Sequence, residues 1–441
     1  MMFVGILVAA IMILYPLLLL WVRSGTNACF AALLVLAILA IIRKPAEFRP
    51  KEGGSAIYWY SAAMASLAVA TLLSQIYHWN FKIGAYDGPS RFLASIPIFL
   101  FLRKIPTRYL TMIQYGFIAG AFVTIFVALS HPYPIAFWGP HYDYRIRVHF
   151  LDFIHFGELS FILGLMACLA INWDRKDPFI VVALKLVALI GGLNATLLSG
   201  ERGVWLAIPP AAITWVALIG KRISRRAIAV TTLGFIVSVV GLYFLAPEVN
   251  LRIDQLATEI ATLRTNPDSS SGKRLQIYRA AMHIFAENPV FGIGPDRFAS
   301  EAARLAKEGQ LTPEALRDAQ AEVHNEILVH SAALGLFGLA SMLLIYLVPL
   351  GLFVQAARSR DPIAQRSGVL GSCFVVSFIV FGLTVETFDL KMVATFYALT
   401  VAVFLAIAKN AANQAKRRQT SGKDDLLGQK GERLATSGVG A

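Results

Sequence analysis

His324 is the residue here best equipped for chemistry. It sits in Val323-His324-Asn325-Glu326-Ile327-Leu328, where a long polar segment gives way to an apolar run that continues through Gly335. An imidazole changes charge near neutrality, so at such a boundary it can take a proton from a substrate at working pH. The same position suits a plain polar helix start beside lipid headgroups, so the surrounding cations decide between the two readings. Arg202 lies in Ser199-Gly200-Glu201-Arg202-Gly203, a tight connection whose glycines let the backbone turn and approach a ligand. Its planar fork of donors matches phosphate oxygens, whether those belong to a substrate or to a headgroup. Arg145 and Arg147 fall in the loop from His131 to His149, with Trp138, Tyr142 and Tyr144, aromatic residues that suit either an interfacial belt or a platform for sugar rings. Lys273, Arg274 and Arg279 open a further polar helix. Cations at a helix start oppose the macrodipole, and a bound anion would offset that cost. Arg91 follows Asp87 closely enough to pair with it.

Other ionisable residues lie near apolar runs: Asp152, His155 and Glu158 at a spacing of three, Lys185, and Glu386 with Asp389. Such residues are costly inside a membrane and face a cavity or a partner. For the first group, pairing with a neighbouring helix is expected rather than a metal site, since no third ligand follows. No DxD stands in an outer loop, and there is no Walker A sequence or GxSxG elbow, so neither a metal nor a cofactor is expected. The tools are arginines and a histidine, which suit displacement of a lipid-linked diphosphate: the cations neutralise charge growing on the leaving group and the base takes a proton from an attacking hydroxyl.

Membrane helices must position these groups. The 441 residues are 57% hydrophobic and 15% charged, too apolar for a soluble domain. About twelve runs have the length of spanning helices, at 3–22, 28–42, 56–77, 91–102, 110–129, 150–172, 179–198, 204–220, 227–246, 326–356, 367–383 and 392–408. The expected fold is therefore all-α and polytopic. Cys29, Cys168 and Cys373 sit in apolar runs without a CxxC spacing, so no disulfide framework is indicated. The chain opens on apolar residues with no basic stretch or A-x-A site, and a cleaved leader is not expected.

The net charge of +13 is mostly a topology signal. Short connections on one side, with the tail, hold 23 Lys and Arg; those on the other side hold seven. The basic side is expected to be cytoplasmic, together with both termini. Residues 1–246 then carry nine spans, 247–325 form one large outer excursion, 326–408 carry three more spans, and 409–441 form a basic, disordered tail. Within the excursion, Leu256, Ile260 and Leu263 have helical spacing, as do Leu275, Tyr278, Met282 and Phe285. Asn288 to Pro295 reads as a turn, with Asp296 as cap of the next helix. Thr312-Pro313 opens another helix, expected to run through His324 into the tenth span. The excursion is thus a helical cap over the outer mouth.

With these motifs in place, the chain resembles the O-antigen ligase/O-antigen polymerase superfamily of bacterial envelopes. His324-Asn325-x-x-Leu328-x6-Gly335 fits the pattern H-[NST]-x-x-L-x6-G. Ser199 to Leu206 is similar to S-x-S-R-G-x-W-L, with Glu201 where Ser is common. Arg274-x3-Tyr278 followed by Pro289-x2-Gly292-x-Gly294 and Phe298 resembles R-x3-W…P-x2-G-x-G…F, with Tyr for Trp. The resemblance implies a metal-independent glycosyltransferase of the membrane-embedded C type in the bacterial inner membrane, with its active site on the periplasmic side. Its donor would be undecaprenyl-diphosphate-linked O-antigen and its acceptor lipid A–core oligosaccharide. It implies His324 as base and Arg202 and Arg274 on the diphosphate, a role extended here to Arg145, Arg147, Arg91 and Arg279. One base without a nucleophile implies a single displacement that inverts the anomeric centre. A polymerase and a protein O-oligosaccharyltransferase share the superfamily. A transporter of lipid-linked sugars is the rival of another class, with Lys185 and Glu158 as its coupling residues.

Overall fold

The computed structural model describes residues 2–48, 55–130, 145–219 and 266–437, with Thr258, and side chains as far as residue 415. Ten helices belong to the apolar bundle: α1 (Met2–Leu17), α2 (Gly25–Arg43), α3 (Ser55–His78), α4 (Asp87–Leu102), α5 (Ile113–Ser130), α6 (Phe153–Leu169), α7 (Phe179–Ser199) and α8 (Arg202–Ile219), then, after the polar excursion, α12 (Glu326–Ala357) and α13 (Pro362–Gly382). The last helix, α14 (Lys391–Ser437), begins in the bundle, and the excursion supplies α9 (Ser270–Glu287), α10 (Phe298–Lys307) and α11 (Pro313–Ala321). Eleven of the expected spans fall on these helices, and the twelfth, 227–246, lies outside the described residues. Among the described residues, eight helices are long and apolar enough to cross a bilayer; α1 and α6 are shorter apolar helices. The protein is therefore a polytopic, helical membrane protein.

The segment of α14 before its basic end is the hub. Apolar on all sides, it is buried on nearly all sides, as expected of a helix with no amphipathic face. Its Tyr397 packs edge-on to Phe378 at 5.1 Å, and Phe388, just before the helix, sits 5.1 Å from Phe92 of α4. Large apolar side chains such as Phe179, Ile190, Leu206 and Ile213 point outward, which an acyl-chain environment stabilises and water would not. No proline follows Lys409 to stop α14, and the backbone stays helical to Ser437 across the segment that composition marked as a disordered tail.

The excursion folds on its own small core, in which Ile277, Ile284, Phe298, Leu305 and Leu311 pack with Val323 and Ala332 at the start of the bundle helix α12. Its first part, with Leu256, Ile260 and Leu263, lies outside the described residues. Thr312 caps α11 as expected, its Oγ1 accepting from Ala315 N at 3.2 Å. Asp296 does not cap α10: it adopts φ 58°, and Arg297 holds the cap position with no side-chain bond. Nor does α11 run into the bundle. It ends at Ala321, and a new helix starts at Asn325, whose Oδ1 accepts from Leu328 N at 3.0 Å. The short polar side chain of Asn325 satisfies an orphan amide and makes the break favourable.

Excursion and bundle are joined backbone to backbone. α12 is interrupted at Gly335, with φ 65° and ψ −147°, a region that essentially only glycine adopts. The turn from Pro289 to Gly294 fills the gap. Ile293 N donates to Ala332 O at 3.0 Å, Gly294 N to Ala333 O at 2.9 Å, and Leu336 N to Pro289 O at 2.7 Å. In an unbroken helix Leu336 N would have bonded Ala332 O, so the turn takes over both ends of a severed helical bond. From α3, Ser74 and His78 bond Phe291 O and Gly292 O at 2.8 and 2.9 Å. A Cβ on Gly335 would meet the Val290 carbonyl at 2.4 Å. Gly335→Ala is expected to cost about 3 kcal/mol or more, read as a large fall in unfolding temperature in detergent; an unchanged temperature would show that the joint carries little stability.

Candidate functional site

The Ser199–Gly203 connection is as tight as its sequence requires. Gly200 ends α7 at φ 70°, and Glu201 Oε1 accepts from Gly203 N at 2.7 Å at the start of α8. A serine there would cap by the same kind of bond, so Glu201 replaces it without loss of the turn. Arg202 is thereby held at the mouth of α8. Arg274 comes from the first turns of α9, whose cap Ser269 accepts from Gly272 N at 3.1 Å. Arg145 reaches in just before α6, its guanidinium 4.2 Å from the ring centre of Phe153.

His324 stands in the break between α11 and α12, with φ 58°, a strained conformation for a residue other than glycine. Neighbours hold it there. Tyr278 of α9 donates to His324 O at 2.7 Å, and Leu383 O also lies 3.1 Å from the same hydroxyl. Asn325 Nδ2 donates to Leu383 O at 3.2 Å. Glu322 and Glu386 exchange bonds across the same seam: Glu386 N donates to Glu322 Oε1 at 2.8 Å, and Val323 N donates to Glu386 Oε1. The strain is therefore borne by bonds to two other elements.

His324, Arg145, Arg202 and Arg274 line one cavity of about 230 Å³ with Phe153, Glu201 and Asp318. Four of the seven site residues expected from sequence thus meet, although they are far apart in the chain. Arg147 and Arg279 are exposed and away from the cavity, and Arg91 lies on α4 outside it. Asp87 pairs with Lys391 at 2.5 Å rather than with Arg91. Lys273 is engaged by Asp318 at 2.5 Å, whereas Arg274 forms no ion pair among the described residues. The remaining cations outweigh Glu201, whose carboxyl burial pushes above its usual range despite the Gly203 amide and the charges of Arg274 and Arg202. The cavity is a net cationic pocket with a histidine in its wall. Most of the aromatic loop before Arg145, including Trp138, Tyr142 and Tyr144, lies outside the described residues.

The other buried charges resolve differently. Asp152 caps α6 and pairs with His155 of its own first turn at 2.7 Å, not with a neighbouring helix. Lys185 bends back to Asp177, Gln114 and Ala170 O, each at 2.7 Å. It is fully satisfied in the fold. A second cavity of about 500 Å³ is lined by Glu322, Val323, Glu326, Glu386, His330 and Phe388. A helical reading of this segment hides Glu322, because on a helix residues two apart, such as Glu322 and His324, point away from each other.

The described residues thus form a helical membrane protein in which three arginines and one histidine line a single cavity. Residues 187–343 match the family model described as O-antigen ligase. The matched stretch contains Arg202, Arg274 and His324. The chain is also 24% identical over 302 residues to an uncharacterized protein of Haemophilus influenzae, a similarity covering 67% of this chain and 72% of that one.

Burial, with the nearby carboxylates of Glu326, Glu322 and Asp389, raises the Glu386 carboxyl to about 8, although the Val323 amide opposes this. Its proton is bound more tightly folded than unfolded, so its effect on stability is most favourable below its ordinary value of 4.5 and worsens as pH rises through about 8. Glu386→Gln cannot ionise. Its stability advantage over wild type should be absent at low pH, grow between pH 5 and 8, and level off above, reaching on the order of 2 kcal/mol after solvent screening. A difference independent of pH in thermal unfolding would refute this.

Proposed function

We propose that the protein is an O-antigen ligase that moves a polysaccharide from undecaprenyl diphosphate to lipid A–core oligosaccharide on the periplasmic side of the bacterial inner membrane. The observation that carries this reading is the meeting of His324 with Arg145, Arg202 and Arg274 in one cavity. At about 230 Å³ the cavity suits a diphosphate, while the glycan and the polyprenyl chain extend outside it. The excess of Lys and Arg in the opposite connections supports placing the mouth outside the cytoplasm. Satisfaction of Lys185 by Asp177 weakens the transporter reading, which needs a mobile charge within the helices.

The reaction is a direct displacement. Arg202 and Arg274, with Arg145, hold the diphosphate and neutralise charge as it leaves; guanidinium groups provide this by fixed, paired donors. His324 accepts the proton of the acceptor hydroxyl while that oxygen bonds to the anomeric carbon. The carbon–oxygen bond to the diphosphate breaks, undecaprenyl diphosphate departs with the electron pair, and the imidazolium later releases its proton. Configuration at the anomeric carbon inverts; a retained configuration would refute a single displacement. Arg147, Arg91 and Arg279 are assigned to initial attraction of the donor rather than to contact with the diphosphate, since none lines the cavity.

Purified protein incubated with lipid-linked polysaccharide and lipid A–core in the presence of chelator should yield lipid A–core bearing long glycan. Elongated lipid-linked glycan instead would identify a polymerase. In this assay His324→Ala should lose about 10²–10⁴-fold in kcat, the span of general-base effects, with donor binding kept. Undiminished transfer would reject the base assignment. Arg202→Lys preserves charge but loses the fork, and a fall of about tenfold or more in kcat is expected; a wild-type rate would mean that Arg202 only meets headgroups.

A further inference from the structure

We infer that Glu322 is the positioning residue for His324: it holds the imidazole by Nδ1 and so assigns proton transfer to Nε2. This rests on the function proposed above and adds a residue to it. His324 Nδ1 is buried and makes no hydrogen bond of proper geometry. Buried polar nitrogens find partners in folded proteins, and Glu322 Oε2 lies 3.3 Å from this one. That contact is long for a formed bond, as catalytic contacts often are before substrate tightens them.

The carboxylate is itself fixed, because its other oxygen takes the Glu386 amide at 2.8 Å. Rotation about its last bond is therefore restrained, and Oε2 stays turned toward the ring. The backbone between the two residues is pinned as well, by the Val323–Glu386 bond and by Tyr278 on His324 O. Burial would raise the Glu322 carboxyl, but the His324 ring, the Glu386 amide and the charge of His155 hold it below its usual range. It stays a carboxylate at neutral pH. An anion at Nδ1 keeps the proton on that nitrogen, leaves Nε2 with its lone pair, and stabilises the imidazolium formed when Nε2 takes the hydroxyl proton.

Charged groups face this pair from several elements. Arg145, Arg202, Arg274, Glu201 and Asp318 border His324, while Glu386 and Glu326 border Glu322, and His155 and Asp389 act on it from α6 and the turn before α14. Among the described residues, Glu322 is the carboxylate within ion-pair reach of the His324 ring, at 3.3 Å.

The test is Glu322→Gln in the full-length protein. The amide oxygen keeps the bond to Glu386 N, so the seam is preserved while the charge is lost. The expected result is a fall of about 10²-fold or more in kcat, an unchanged KM for the lipid-linked donor, and an acidic limb of the kcat/KM profile moved to lower pH by about one unit. Glu322→Asp should recover part of the rate. A role confined to folding would lower donor binding and leave the limb in place. Wild-type kcat, or an unmoved limb, would overturn the assignment. His324→Ala in the same assay separates the two proposals: activity there defeats the base assignment, whereas an inactive His324→Ala with an unmoved limb in Glu322→Gln defeats only the role of Glu322.

Discussion

The structure depends on a helix that is broken where a loop can mend it. An interruption inside an apolar bundle leaves amides and carbonyls that neither lipid nor side chains can satisfy, and each orphan costs on the order of 1–3 kcal/mol. The Pro289–Gly294 turn supplies the missing partners of α12 at Gly335. The polar excursion is thereby tied to the bundle by directional bonds as well as by apolar contact, and α9 acquires a defined position over the mouth of α12. Arg274 and Tyr278 ride on α9, so the register of the whole site follows from this joint.

The same economy appears in the residues around His324. A left-handed histidine is unfavourable alone, and the phenol of Tyr278 offsets part of that cost by bonding its carbonyl. The pattern that Arg274-x3-Tyr278 resembles has Trp in place of Tyr278, and both are large rings with a single donor at the edge. Glu201 in place of Ser follows the same logic, since capping needs only an oxygen at the right reach.

In the proposed reaction, the site is electrostatically a contest between arginines and a base. Clustered guanidinium groups suit a diphosphate leaving group, yet they oppose the cation that the histidine becomes. Acidic groups on the far side of the Glu322–Glu386 seam moderate that opposition without entering the diphosphate pocket. Two cavities, one lined by arginines and the other by carboxylates, adjoin the segment from Glu322 to His324, and in the proposed reaction this separates leaving-group stabilisation from base stabilisation.

The sequence by itself determined the helical membrane class, the position of eleven apolar helices, the helices of the excursion, and the identity of His324, Arg202 and Arg274 as groups of interest. These are legible because length, apolarity, capping residues and local motifs act over short stretches of chain. Only tertiary structure decided which arginines meet: Arg145 and Arg147 are alike in type and nearly adjacent, and nothing local tells which one turns inward. It also decided that α11 stops before His324, because the Glu322–Glu386 bonds that stabilise the break come from a segment more than sixty residues away. Pairing across such distances is set by packing, and no periodicity in the chain records it.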